Sequence, residues 1–439
     1  MSVPQSIIIV GGGAFGLSTA LSISERHPKS KVTLIEASSV IPNPHGSSVD
    51  MSRIIRADYA HAPYARLAVQ ALDLWRTDDW GGGGRYMQNG LLSVFREDGS
   101  SGHQFARKSF ETLKAMKGSQ VEFLSSKEDV LRVAPTFGKA MEIDAGYINW
   151  GAGWADAEAG VRYAKERIEK EGKVTLLSGT VKQLIYDHND QNTTEECRRV
   201  TGVMLSDQSV LHADLTVLAT GAWTPKLVDL QGIVRATGQI LLYIQISPEE
   251  QERLSHQPTI FNWTNGFFII PPRNNLLKVA RHGHGYLNPT TIPTIGGNGE
   301  RMQVSLPEIG LTVPLRSQEA CRAALRELLP DLAERPFTNT RICWYTDTPS
   351  GDFIITYHPR HPGLFLATGG SGHGYKFLPV IGDKIVDAIE GSLEAEYREL
   401  WKWPAGVEDF GGDGSRFGEK DVNLMQELAN DKRNNRKVL

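Results

Sequence analysis

The 439-residue chain is poor in cysteine, in one-signed charge and in long apolar runs. Only Cys197, Cys321 and Cys343 are present, an odd and sparse set that argues against a disulfide framework and for a reducing compartment. Asp plus Glu (51) nearly balances Lys plus Arg (47), leaving a net charge of −4. A nucleic-acid surface needs a concentrated positive field, so no nucleic-acid partner is expected. Nowhere do about 18 apolar residues run together, which argues against a spanning helix and a membrane partner. The first apolar run, residues 7–10, meets glycines at once and has no basic segment before it, so it reads as a buried strand rather than a signal peptide. With 40% apolar and 22% charged residues the composition is that of a globular chain, and the length allows two or three domains.

What is present begins with a motif. Ile7-Ile8-Ile9-Val10 is closed by Gly11-Gly12-Gly13, and Gly11, Gly13 and Gly16 satisfy G-x-G-x-x-G. Leu17, Ala20, Leu21 and Ile23 then recur at helical spacing, and Lys31–Glu36 is a second apolar run ending in a carboxylate. In such a strand–turn–helix–strand unit a pyrophosphate approaches the backbone where a Cβ would block it, and the helix start offers free N–H groups. Glu36 follows Gly16 by 20 residues, where a carboxylate can accept from ribose hydroxyls. FAD or NAD fits; the 2′-phosphate of NADP would be repelled.

The regular alternation of a nicotinamide enzyme stops there. Pro42, Pro44 and Gly46-Ser47-Ser48 are irregular. Residues 174–177 and 181–186 alternate as strands, 203–205 and 211–214 follow, and 215–218 deliver the small-residue turn Ala219-Thr220-Gly221-Ala222-Trp223. A third glycine cluster, residues 369–374, follows the apolar run 364–368 and precedes a predicted helix over 380–389. Three strand-to-glycine turns far apart in sequence imply one cofactor domain assembled from separate pieces, as an extended flavin dinucleotide requires. The expected fold class is α/β: an FAD-binding Rossmann-like domain of glutathione-reductase type (1–85, 150–225 and 340–395) and a mixed-sheet α+β substrate domain (86–149 and 226–339). Residues 396–439 are expected to form a C-terminal tail, of which 408–439 wraps the surface or frays.

Three stretches carry a resemblance: Gly46-Ser47-Ser48 through Ser52-Arg53-Ile54-Ile55-Arg56, then Cys343-Trp344-Tyr345-Thr346-Asp347-Thr348-Pro349, then Ser371-Gly372-His373-Gly374-Tyr375-Lys376. Together they resemble the monomeric sarcosine oxidase family of flavoproteins, which takes in pipecolate and saccharopine oxidases and, further off, fungal fructosyl amino acid oxidases. The resemblance runs from Ile7 to about Gly391. It implies FAD attached through a cysteine thioether at the flavin 8α-methyl, with Cys343 in that position. Read from the residues, Cys343 is also the best candidate, following a predicted strand at 340–342, whereas Cys197 lies in a polar loop and Cys321 on a predicted helix over 320–329; an inert buried thiol fits it equally. Motif and resemblance together give the expected cofactor contacts: Gly11, Gly13, Ala14, Phe15, Gly16, Glu36, Ala37, Ser47, Ser48, Arg53, Val181, Ala219, Gly221, Trp223, Cys343, Gly370, Gly372, His373, Gly374 and Lys376.

Oxidising an amine beside a carboxylate calls for fixed cations around the carboxylate and a cation for oxygen as it becomes an anion. By resemblance, Arg56 and Lys376 bind the carboxylate, Arg53 lies at the flavin face, Lys278 serves oxygen, His282 lines the cavity and Tyr345 closes over the substrate. Lys278 falls on a predicted strand, sharing a face with Ala280 and His282. Plainer readings compete: a surface salt bridge of Arg56 with Asp58 or Asp50, a loop charge at Lys376, a solvated face at His282 and His284. No metal is expected, since those two histidines lack a third ligand at recognisable spacing.

The activity implied is oxidation of a secondary amine of an amino acid (N-methyl, pipecolate or saccharopine type) with O2 as acceptor, giving an imine and H2O2. Fructosyl amino acid oxidase is the alternative. Those enzymes usually carry an Asn-Asp…Asn-Lys type segment where this chain keeps Arg53 and Arg56, although the run 400–404 looks more like theirs. Trp344 and Tyr375 stand where relatives carry Met and Phe, which bears on pocket size. A cytoplasmic monomer is expected; the ending Lys437-Val438-Leu439 fits the peroxisomal Ser-Lys-Leu signal poorly.

Overall fold

A computed structural model describes residues 3–138, 140–187, 197–230, 232–293, 301–406 and 409–437; the last two residues of the ending, Val438 and Leu439, lie outside them. The apolar runs pair as their composition requires. Ser6–Val10 lies between Leu215–Leu218 and Lys31–Glu36, parallel to both. Leu364–Thr368 and Val174–Ser178 extend the sheet in parallel on either side, and Ile354–Tyr357 adds an antiparallel edge. Both faces are covered, so successive residues rather than alternate ones are apolar. Ala14–Arg26, Ala157–Glu171 and Ile381–Glu390 pack on one face. The small antiparallel sheet of Val181–Tyr186, Val200–Leu205 and Val210–His212 contributes to the core on the other. Because the strands ahead of the three glycine turns are parallel neighbours, the turns open on one edge, where ligands of such sheets bind.

The larger sheet is mixed. Arg235–Gln245 pairs antiparallel with Asn339–Asp347 and with Leu276–Arg281, and Phe267–Ile269, Thr259–Asn262, Leu91–Phe95, Ala145–Asn149 and Val121–Leu124 follow. Register decides which side chains look where. Gln239 stands opposite Cys343, Leu241 opposite Ala280 and Tyr243 opposite Lys278. Opposed residues share a face, so Cys343, Tyr345, Tyr243 and Lys278 project together, and Leu241, Tyr243, Ala280 and Cys343 form a small core there. The other face, with Ile240, Leu242, Leu277, Val279 and Trp344, packs against Cys321, Leu325 and Leu328 of the helix Leu315–Leu328.

Three features depart from the sequence reading. The strand Asn339–Asp347, placed above in the cofactor segment beginning at 340, hydrogen-bonds within the mixed sheet, and Cys343 is mid-strand rather than beyond its end. Trp344 is turned away from the cavity, its Nε1–H donating to the Glu308 carbonyl (3.0 Å), so the Met-to-Trp difference does not reshape the pocket. The tail is neither frayed nor merely superficial. Phe417 N–H donates to the His282 carbonyl (3.2 Å), its own carbonyl accepts from His284 N–H (3.0 Å), and Val422–Asn423 adds a strand beside Tyr286–Leu287. Gly412, Gly414 and Gly418, at φ 64, 85 and 84°, let the strap turn this tightly.

Candidate active site

A cavity of about 580 Å³ runs from the glycine edge of the parallel sheet to the Cys343 face of the mixed one. At one end Gly11 has φ +109°, and a Cβ there would sit 2.5 Å from the Ala219 carbonyl oxygen. Only glycine can build that wall. The Ala14–Arg26 helix has no side-chain cap of its own; Ala14 N–H donates to Ser48 Oγ (3.0 Å) instead. Glu36 is buried beside it, Oε2 accepting from Gly12 N–H (2.7 Å) and Oε1 from Ser38 N–H (2.9 Å) and Asn43 Nδ2 (2.8 Å). A helix start facing a cavity, a wall cleared of Cβ atoms and an anchored carboxylate fit a dinucleotide.

At the far end, Arg53 and Lys278 share the Asp50 carboxylate. Arg53 pairs with Asp50 through Nη1, and Lys278 Nζ lies 2.8 Å from Asp50 Oδ2 and 2.7 Å from the Ser52 carbonyl. Asp50 Oδ1 accepts from Tyr243 OH (2.9 Å) and Met51 N–H (2.8 Å). Burial would raise the Asp50 pKa, but the two cations hold it well below the usual carboxylate range. Burial pushes Lys278 down to about 8 against the pull of Asp50. Arg53 Nη2 donates to the Ser47 carbonyl (3.0 Å) and reaches to 3.4 Å from Cys343 Sγ.

Arg56 and Lys376 meet at Tyr59. The guanidinium carbon of Arg56 is 5.5 Å from the Tyr59 ring centre, and Lys376 Nζ is 4.9 Å from the same point. Lys376 Nζ donates to Tyr59 OH (2.7 Å) and the His373 carbonyl (2.9 Å). The His373 Nε2–H reaches the Gly351 carbonyl (2.9 Å), which leaves Nδ1 to accept from Tyr59 OH (3.0 Å). Burial first, and Arg56 next, push the Lys376 pKa well below the ordinary lysine value. Burial, with Arg416 and Arg56, does the same to His282. Burial raises Tyr345 to about 12.

The FAD dependent oxidoreductase family model matches residues 6–388. An amino acid oxidase of Aspergillus flavus, imqH, is 33% identical over 92% of this chain and 99% of its own length. The chain belongs to the FAD dependent oxidoreductase family. The L-saccharopine oxidase of Schizosaccharomyces pombe is 29% identical over 91% of this chain and 93% of that one. The solved fructosyl peptide oxidase of E. terrenum superposes with a TM-score of 0.84 at 26% identity, covering 97% of each chain. The fold is therefore the α/β arrangement of this family, an FAD-binding domain joined to a substrate domain, and the likeness to the sarcosine oxidase group holds.

With FAD as the family's cofactor, the cavity wall can be compared with the expected contacts. Gly11, Gly13, Ala14, Phe15, Glu36, Ala37, Ser47, Ser48, Arg53, Val181, Ala219, Gly221, Trp223, Gly370, Gly372, His373, Gly374 and Lys376 all line it, as do Lys278, His282, Tyr345 and Arg56. Gly16 and Cys343 stand behind the wall, Gly16 against the Gly11 carbonyl and Cys343 beneath Arg53. Arg56 and Lys376 are buried and His282 is half-buried, none of them the surface charge or solvated face of the plainer readings. Sequence reasoning missed Asp50 as the partner of Arg53 and Lys278, Tyr59 as the hinge of the Lys376 contacts, and Arg416. Arg416 donates to Asp347 Oδ1 (2.7 Å) and to the Ser371 and Gly283 carbonyls (both 2.9 Å), strapping residues 409–418 over the cavity. The glycines at 411, 412, 414 and 418 were its signal, since a frayed tail needs no tight turns. Among the described residues, no helix is long and apolar enough to cross a membrane and no cluster of ligating side chains could hold a metal.

Proposed function

We propose that the chain oxidises the secondary amine of an amino acid, of N-methyl, pipecolate or saccharopine type, with O2 as acceptor. One observation carries this reading: two cationic side chains, Arg56 and Lys376, are 8% and 5% exposed at the cavity, and among the described residues neither pairs with a carboxylate within ion-pair reach. Among the described residues Arg56 donates to the Asp58 carbonyl alone, leaving most of its five N–H groups for an anion. Basic groups buried without such a partner are costly to charge, and a substrate carboxylate supplies one.

Held at the Gly11 turn, Glu36 and Ser48, FAD would supply the two-electron acceptor between the substrate, whose CH–NH becomes C=N, and O2, which becomes H2O2. The chain's own residues supply the rest. Arg56 and Lys376 hold the carboxylate and so set the position of the amine. His282 stays neutral and adds no charge against an amine that must itself be neutral. Tyr345 remains a phenol at neutral pH and covers the substrate from the mixed sheet. Lys278 offers a cation to oxygen as negative charge develops there. Cys343 carries the flavin tether in this reading, with Arg53 Nη2 3.4 Å from its sulfur.

The likeness in fold to fructosyl peptide oxidase favours a second reading, the same chemistry on a fructosyl amino acid. Peroxide release measured on sarcosine, N-methyl amino acids, pipecolate, saccharopine and fructosyl-valine separates them. Turnover of fructosyl-valine alone would replace the first reading by the second, and no peroxide from any amine would end both.

A further inference from the structure

We propose that Asp50 is a positioning residue for oxygen reduction: it fixes the Lys278 ammonium, keeps it charged and, through Arg53, ties that charge to Cys343. The inference rests on the oxidase reading above. Asp50 does not line the cavity, so it acts only through the groups it holds. Its carboxylate cannot rotate: Oδ2 is shared by Lys278 and Arg53, and Oδ1 accepts from Tyr243 OH and Met51 N–H. Two of the three Lys278 donors are taken by Asp50 and the Ser52 carbonyl, which leaves one for the cavity that Lys278 lines.

The charge count matters as much as the geometry. Lys278 and Asp50 side chains are 2% and 1% exposed, so the site is dry. A lysine buried there without a counter-charge sheds its proton. One carboxylate between two cations keeps both charged and leaves the trio with a single net positive charge, the sign that favours an oxygen anion. Among the described residues, the other titratable groups facing this cluster are Cys343, Tyr243, Tyr345 and, on the Arg53 side, Tyr375, with Arg341 beside Tyr243. None supplies a carboxylate to replace Asp50.

The test uses the FAD-loaded protein reduced by light, with no amine present, mixed with O2 at a series of pH values. The wild-type reoxidation rate should be highest at low pH and fall as Lys278 loses its proton, near pH 8. In Asp50→Asn the fall should move at least about one pH unit lower, and Asp50→Glu should return it towards wild type. An Asp50→Asn profile that coincides with wild type, while Lys278→Met differs from wild type, overturns the proposal and spares the oxidase reading. A flat wild-type profile shared by Lys278→Met overturns the proposal together with the oxygen role of Lys278, and no reoxidation by O2 at any pH overturns the oxidase reading as well. Should Asp50→Asn fold poorly, the melting temperature supplies a second readout: Asp50→Asn/Lys278→Met should melt above Asp50→Asn alone, because the stranded cation is gone. No recovery overturns the proposal.

Discussion

A carboxylate that enters the cavity should bring a proton with it, and Lys376 is where that proton should go. In the free protein, burial and the nearby Arg56 hold the Lys376 pKa well below the ordinary lysine value, and its two hydrogen-bond partners, Tyr59 OH and the His373 carbonyl, are uncharged. A carboxylate at hydrogen-bonding distance favours the ammonium and raises that pKa. Between the free and bound values, binding therefore takes up as much as one proton, and affinity falls about tenfold, or about 1.4 kcal/mol, for each unit of rising pH. The ligand should be acetate or propionate, which have no amine to release a proton of their own. Affinity is read from the flavin spectrum, and proton uptake by calorimetry in two buffers of different ionisation enthalpy. His282 and His373 are pushed well below their ordinary range by burial and Tyr345 is raised to about 12, which leaves Lys376 and Asp58, raised by burial beside Arg56, to respond; the Lys376 variant separates the two. Lys278, at about 8, titrates beside Asp50 and should keep its contribution in a Lys376 variant. Lys376→Met should abolish the uptake and weaken binding by about 1.5–3 kcal/mol, roughly 10- to 150-fold. A wild-type affinity that is flat with pH, or a Lys376→Met protein with the wild-type slope, would refute the reasoning.

Three shorter predictions follow from the same geometry. Acid precipitation of the purified protein should leave yellow colour in the pellet, and Cys343→Ala should move it to the supernatant; colour in the wild-type supernatant would remove the tether. Gly11→Ala should cost at least about 1–2 kcal/mol in backbone strain alone, and because its Cβ would lie 2.5 Å from the Ala219 carbonyl oxygen it should also lose FAD, read as absorbance per mole of protein. Lys278→Met should slow reoxidation by O2 by roughly 100- to 1000-fold, the scale of one lost charge-stabilising donor, while anaerobic bleaching by the amine continues; equal slowing of both steps would deny Lys278 an oxygen role.

Local pattern made part of this site readable. Gly11, Gly13, Gly16 and Glu36 sit in one strand–turn–helix–strand unit, so their spacing alone carries the geometry. The turns at 219–221 and 369–374 were legible because each follows a largely apolar run, the mark of a strand buried on both faces. Period-two alternation put Lys278 and His282 on one face, and the same rule, applied one strand further, would have set Cys343 and Tyr345 inward and Trp344 outward. That step was masked because the strand was ended at residue 342. Asp50 was beyond reach for a different reason. A carboxylate followed in sequence by two arginines can pair with either, and only the approach of the Leu276–Arg281 strand, more than two hundred residues later, decides that Arg53 and Lys278 share it. Composition misled at the strap, where charge and glycine look alike in a loose end and in a tightly turned cover.

That cover sets an order of events in synthesis. Residues 409–423 close the cavity through Arg416, pair with His282 and His284 through Phe417 and complete the sheet through Val422–Asn423. They leave the ribosome after some four hundred others, so a nascent chain already holding the Gly11 turn, Lys278 and Cys343 still has an open-topped site. Flavin can enter during that interval without any later opening of the finished protein, and a message truncated upstream of residue 409 should yield a chain that folds around its cofactor yet leaves it open to solvent.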